Sequence, residues 1–131
     1  MESLMIDDYA IHVGWEDVNN YLNSVAAALD SHQYSGVYGV PRGGLVIASW
    51  LAHKMYLPLL FAPSPNCIII DDICDSGETL LHYVKNTSNP EADNNYYTTT
   101  MFFRKGNNYD IEPSYWYKEK KDKWIVFPWE E

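Results

Sequence analysis

Cys67-Ile68-Ile69-Ile70-Asp71-Asp72-Ile73-Cys74-Asp75-Ser76-Gly77-Glu78-Thr79 is an apolar run that stops at two adjacent carboxylates and passes into a polar, glycine-containing turn. A continuous β-branched run suits a strand buried on both faces of a parallel sheet, and in open α/β sheets ligands bind beyond the carboxyl ends of such strands. Asp71 and Asp72 are therefore expected at a strand tip on a binding edge. Two neighbouring carboxylates can accept hydrogen bonds from vicinal sugar hydroxyls, or hold a hydrated Mg²⁺, which takes one or two carboxylates plus substrate oxygens. Residues 75–79 read as a turn opening a helix, where hydroxyls and unpaired backbone N–H groups converge on a phosphate. Gly77 lets the backbone approach that anion closely.

A second turn points the same way. Val37-Tyr38-Gly39-Val40 reads as a short strand, and Leu45, Ala48, Leu51 or Ala52, and Met55 form the apolar stripe of a following helix. Pro41-Arg42-Gly43-Gly44 between them places a guanidinium in a flexible backbone at another carboxyl edge. Gly43 and Gly44 permit the conformations in which N–H groups point at a phosphate. A P-loop would need Lys where Leu45 stands. A phosphatase built on Asp-x-Asp would need a second Asp where Ile73 stands.

The stretch from Cys67 to Thr79 closely resembles the thirteen-residue signature of type I phosphoribosyltransferases, with Cys74 standing where an aliphatic residue is usual. Free Cys behaves as a small hydrophobe. The resemblance implies that Asp71 and Asp72 bind the ribose hydroxyls of phosphoribosyl pyrophosphate. It likewise implies that Asp75, Ser76, Gly77, Glu78 and Thr79 hold its 5′-phosphate. For Glu78, stabilisation of a helix start at the positive end of the dipole is the preferred role. The segment from Val40 to Val46 resembles the family's pyrophosphate loop, so Arg42 and Gly43 are expected to bind the leaving group together with Mg²⁺. Asp72 is the expected metal ligand. The likeness is greatest to the bacterial xanthine-guanine branch, in which a hydroxylic residue replaces Pro41.

The ending Asp122-Lys123-Trp124-Ile125-Val126-Phe127-Pro128-Trp129-Glu130 resembles the base-binding segment of that branch. By that resemblance Trp124 stacks on a purine and the backbone around Ile125 reads the base edge. A Lys at the end of the preceding strand meets a purine carbonyl oxygen in the branch. Here Arg104 takes the place, with Lys105 as the alternative. Asp75 is the expected general base for the purine imidazole. For Trp124 and Trp129, docking onto the core is the competing reading.

The implied fold is α/β: a twisted, mainly parallel sheet flanked by helices, with a minimal hood. The connection at 62–66 is too short for the long mobile loop that usually covers the reacting centre. Residues 1–131 are expected to form a single domain. The pattern further predicts a helix over 15–31, a third strand over 57–61, a helix over 78–85, a polar connection over 86–95, a strand over 96–103 and a short strand over 114–117. The basic stretch 118–123 reads as a solvated turn.

Nine basic against 18 acidic residues suit neither free nucleic acid nor any partner bound by neutralising phosphates along its length. The two cysteines are expected as free thiols in a reducing cytoplasm, and no apolar stretch is long enough to suggest a membrane span. Five Trp and 11 Tyr are many for this length and are expected to pack in the core or to sit at a subunit interface, where aromatics are enriched; a homo-oligomer, dimer or tetramer, is expected. The expected activity is transfer of ribosyl 5-phosphate to guanine, xanthine or hypoxanthine in purine salvage. The alternative is a non-catalytic protein that binds phosphoribosyl pyrophosphate or a nucleotide.

Overall fold

Ile68, Ile69 and Ile70 are each wholly buried, and they divide between two faces. Ile68 and Ile70 join the larger core with Leu22, Val25, Ile47 and Leu51, whereas Ile69 packs with Tyr38, Val40 and Cys67 on the opposite face. Burying an Ile side chain stabilises by about 1.5–3 kcal/mol, and a run buried on both faces settles only in the middle of a layered sheet.

The computed structural model describes residues 4–87 and 96–130. In chain order its elements are β1 (Met5–Ile6), β2 (Ala10–His12), α1 (Trp15–Ala28), β3 (Val37–Gly39), α2 (Leu45–Met55), β4 (Leu59–Leu60), β5 (Ile68–Cys74), α3 (Glu78–Thr87), β6 (Tyr97–Phe103), β7 (Tyr115–Glu119) and β8 (Trp124–Val126). Five strands form one sheet in the order β4-β3-β5-β6-β7, every pair parallel. Numbered within the sheet this is the order 2-1-3-4-5, whose switch point falls between β3 and β5. Helices α1 and α2 contribute to the larger core, and Leu80 of α3 packs with Cys74 and Phe103. Among the described residues no helix is long and apolar enough to cross a membrane.

Several boundaries differ from the sequence reading for physical reasons. Helix α1 stops at Ala28 because Asp30 accepts from the His32 N–H and starts a 3-10 turn over Ser31–Gln33. The strand expected over 57–61 shrinks to Leu59–Leu60: Tyr56 closes α2 in a left-handed conformation, and Pro58 has no N–H to offer a ladder. Beyond 114–117, the paired strand runs on, with Phe102 opposite Lys118 and Phe103 opposite Glu119. The solvated turn expected at 118–123 therefore begins only at Lys120. Of the connection expected over 86–95, residues 88–95 lie outside the described residues.

A second sheet, ordered β1-β2-β8, forms the hood. β1 and β2 are antiparallel, while β2 and β8 run parallel with Ala10 opposite Trp124 and Ile11 opposite Ile125. The β1–β2 turn is closed by Asp7, whose Oδ1 accepts from the Tyr9 and Ala10 N–H groups at 2.8 and 2.7 Å. Ile125 and Phe127 are buried in the main core, Phe127 edge-on to Phe102, so the hood is seated on the sheet rather than hinged from it.

Candidate active site

The site lies where β3 ends and β5 continues. β3 pairs with β5 only as far as Gly39 opposite Ile70, while β5 runs on beside β6 to Cys74. Asp71 and Asp72 are thus inside a strand, not at its tip, but they stand past the end of one neighbour and face the 41–44 turn. The strand also changes phase there. Ile73 joins the core face of Ile68 and Ile70, and Cys74 goes to the α3 face, which strict alternation forbids. Two backbone N–H groups are held by the acids themselves: Asp72 donates to Asp71 Oδ1, and Ile73 to Asp72 Oδ1, both at 2.8 Å.

The pair is half-buried. Desolvation first, and then the adjoining Asp72 carboxylate, raise the Asp71 carboxyl far above the ordinary carboxylate range. Side-by-side acids can hold a cation or accept hydrogen bonds from hydroxyl groups. Each carboxylate spends one oxygen on a neighbouring N–H, which fits Mg²⁺ held through one or two carboxylates with substrate oxygens completing the shell. Among the described residues no group of three or more metal-binding side chains forms an all-protein cage.

The 41–44 turn is pressed onto this acidic strand. A β-carbon on Gly43 would lie 2.2 Å from Asp72 Oδ2, and one on Gly44 would lie 2.5 Å from the Ile70 carbonyl oxygen. Gly44 N–H donates to Val40 O at 2.8 Å, and the Pro41–Arg42 peptide is cis. Arg42 itself is exposed. The structure therefore brings Arg42, Gly43, Asp71 and Asp72 into one place.

Residues Asp75, Ser76, Gly77 and Thr79 line a cavity of about 110 Å³ together with Ile73, Cys74 and Leu80. Glu78 opens α3, its N–H taking Ser76 Oγ at 3.2 Å, which fits a helix-start role. Gly77 has φ +90°, and a β-carbon there would strike Ile111 and Asn107. Burial, and then the charges of Asp71 and Asp75, push the Cys74 thiol up to about 11, so it stays protonated.

Arg104, at the end of β6, closes the far side. Its Nε donates to Asp75 Oδ1, one terminal nitrogen donates to Lys121 O at 2.9 Å, and the other reaches Asp122 Oδ1 at 3.4 Å. The hydrogen bond to Asp75, chiefly, raises the guanidinium pKa further. Lys105 is placed elsewhere, with Nζ 3.6 Å from Glu119 and 5.1 Å from the Trp116 ring centroid. The two tryptophans of the C-terminal segment also part company. Trp124 is 71% exposed, whereas Trp129 stacks on Phe127 at 4.7 Å and meets Trp15. Ile125 is buried, its backbone paired with β2.

Sequence reasoning missed the support of the 75–77 turn. Asn107 is 8% exposed and fully engaged: its amide nitrogen donates to Arg104 O and Ile111 O, and its oxygen accepts from Ile111 N–H. Tyr109 N–H reaches Ser76 O at 3.3 Å. Gly106-Asn107-Asn108 signals a turn, but nothing local tells what that turn braces.

No protein-family model matches the chain, and no curated protein matches it. Among solved structures, a purine phosphoribosyltransferase from Pyrococcus horikoshii Ot3 aligns with a TM-score of 0.78 over 93% of this chain and 95% of that one, at 24% identity. A xanthine-guanine-hypoxanthine phosphoribosyltransferase from Helicobacter pylori gives 0.75 over 93% and 94%, at 19% identity. A hypothetical protein from Neisseria gonorrhoeae with bound ppGpp gives 0.69 over 97% and 92%, at 13% identity. The chain has the type I phosphoribosyltransferase fold, in the form carried by purine phosphoribosyltransferases.

Proposed function

We propose that the protein transfers a ribosyl 5-phosphate group from phosphoribosyl pyrophosphate to a purine base, releasing pyrophosphate. The observation that carries this reading is the contact of the Arg42–Gly44 turn with Asp72 at the switch point, which joins an anion-binding turn to a hydroxyl-binding acid pair. In this reading Asp71 and Asp72 hold the ribose hydroxyls, the 75–79 turn holds the 5′-phosphate, and Arg42 faces the pyrophosphate. Mg²⁺, when bound at Asp72, supplies charge neutralisation to the leaving group. The bond from the anomeric carbon to the pyrophosphate oxygen breaks, a bond to a purine nitrogen forms, and Asp75 accepts the proton that this nitrogen gives up. Fixed placement of the two reactants supplies much of the rate. Trp124 provides a stacking face for the base, and Arg104 donates to a base carbonyl oxygen. The protein works as a homo-oligomer in the cytoplasm.

The test is to incubate it with phosphoribosyl pyrophosphate, Mg²⁺ and, separately, guanine, xanthine and hypoxanthine. Nucleotide formation with one of them is the expected result, and none with any base would defeat the enzymatic reading.

One observation favours a second reading, a non-catalytic binder of phosphoribosyl pyrophosphate or a nucleotide. The 61–67 connection runs beneath the amino end of β3, where Ser35 N–H donates to Asn66 O and Ser35 Oγ to Pro65 O. It lies at the end of the sheet away from the acids and gives them no cover. Ligand-induced stabilisation without turnover would select this reading.

A further inference from the structure

Behind the 75–77 turn lies a second cavity, of about 490 Å³, that the proposed chemistry does not use. Its size falls in the range typical of small-molecule sites, about 300–1,000 Å³. Phe103, Lys105, Asn107, Asp110, Glu112 and Trp116 contribute to its lining. Arg104 and Lys105 are neighbours in sequence but serve different spaces, the former tied to Asp75 and the latter to Glu119 and Trp116.

The lining has a definite chemical character. Phe103 and Trp116 form an aromatic floor with ring centroids 5.5 Å apart. The indole N–H of Trp116 donates to Glu112 Oε2 at 3.3 Å, leaving the ring face turned to the Lys105 ammonium. An ammonium group on that face shows which chemistry it accepts, since the negative quadrupole of an indole attracts cations. Lys105 is 57% exposed and sits on a flexible stem, so it can yield its place. Its charge is matched by Glu119, while Asp110 and Glu112 on the cavity lining have no ion-pair partner among the described residues. The wall is firm: Asn107 is buried with three hydrogen bonds, and a β-carbon on Gly77 would lie 2.4 Å from Ile111.

We propose that this cavity is a binding site for a small organic cation, an aliphatic amine or diamine, whose ammonium takes the Trp116 face beside Glu112. The site stands apart from the phosphoribosyl reading, because neither Asp71 nor Asp72 lines this cavity. It shares a wall with the 75–77 turn, since Ile111 and Asn107 line the cavity and crowd Gly77.

The test is a titration of the whole protein with putrescine at about 0.15 M salt, where diffuse attraction to an anionic surface is screened. The readout is the indole N–H resonances of the five tryptophans. The expected result is one saturable site that moves the Trp116 signal and leaves the other tryptophans nearly still. Glu112→Gln should weaken binding about tenfold, and Lys105→Ala, which clears the indole face, should tighten it several-fold. Opposite effects of two changes in one cavity cannot both come from misfolding. Non-saturating shifts shared among the tryptophans, or equal affinity in wild type and Glu112→Gln, or weaker binding in both variants, would overturn the proposal.

Discussion

Gly43 and Asp72 touch so closely that residue 43 has no room for a side chain: an added β-carbon would lie 2.2 Å from Asp72 Oδ2. The atom it would displace is the end of a flexible side chain, not backbone. Gly43→Ala should therefore leave the fold intact, with unfolding within about 1 kcal/mol of wild type, while turning the Asp72 carboxylate out of register. Calorimetric titration with phosphoribosyl pyrophosphate and Mg²⁺ should show affinity reduced by about tenfold or more, equivalent to roughly 1.4 kcal/mol. Unchanged affinity would show that the turn and the acid do not share a ligand.

Asp71 makes the ligand-free protein sensitive to alkali. Its pKa is raised on folding, so between the ordinary carboxylate value near 4 and the raised one the native state keeps a proton that the unfolded chain has lost. The native state is disfavoured increasingly as pH rises through that window, and below about pH 4 the penalty disappears. Asp71→Asn carries no such proton. Thermal melts should show the variant equal to wild type near pH 4 and more stable by roughly 3 °C or more at pH 7. Saturating phosphoribosyl pyrophosphate and Mg²⁺ should reverse that order, because only the wild type retains the ligand.

Arg104 joins Asp75 to the 121–122 segment in an exposed setting, where ion pairs contribute little to stability. Arg104→Lys keeps the charge but loses the planar fork that reaches Asp75 and Lys121 O together. The melting temperature should change by no more than about 3 °C, while kcat/KM for purine transfer falls by about tenfold or more. A large loss of stability with unchanged kcat/KM would make Arg104 a structural strut.

Trp124 and Trp129 should separate base binding from folding. Trp124→Ala, at a site 71% exposed, should leave stability within about 0.5 kcal/mol and weaken purine binding by about 1–3 kcal/mol. Trp129→Ala removes the stack on Phe127 and should lower stability by about 1–3 kcal/mol. Chemical denaturation paired with nucleotide titration distinguishes the two.

What the sequence made legible is what short-range pattern encodes. The isoleucine run and the glycines around Arg42 carry their meaning within a few residues and appear as a buried central strand and a strand-to-helix turn, whereas the acid pair stands beside that turn but inside the strand rather than at its tip. The resemblance implied a minimal hood, but its strands were not legible in the pattern, because Met5–Ile6 and Ala10–His12 are too short for alternation and owe their strand geometry to pairing with one another and with Trp124–Val126. The continuation of β5 past the acids was hidden for another reason. Carboxylates there hold backbone N–H groups of the next residues, a service that reads in sequence like the end of a strand. The partition between Arg104 and Lys105, and between Trp124 and Trp129, depends on contacts from distant segments that no local pattern records.

Parallel pairing of Ala10–His12 with Trp124–Val126 also sets an order of assembly. A chain leaving the ribosome carries β3, β5 and β6, and with them the acid pair, before residues 124–126 have been made. Pairing between such distant segments closes a long loop and gains stability only once the intervening sheet has shortened it. The β1-β2-β8 sheet is thus the last element to gain protection during folding. In hydrogen exchange its amides should open locally while those of Ile68–Ile70 exchange only through global unfolding.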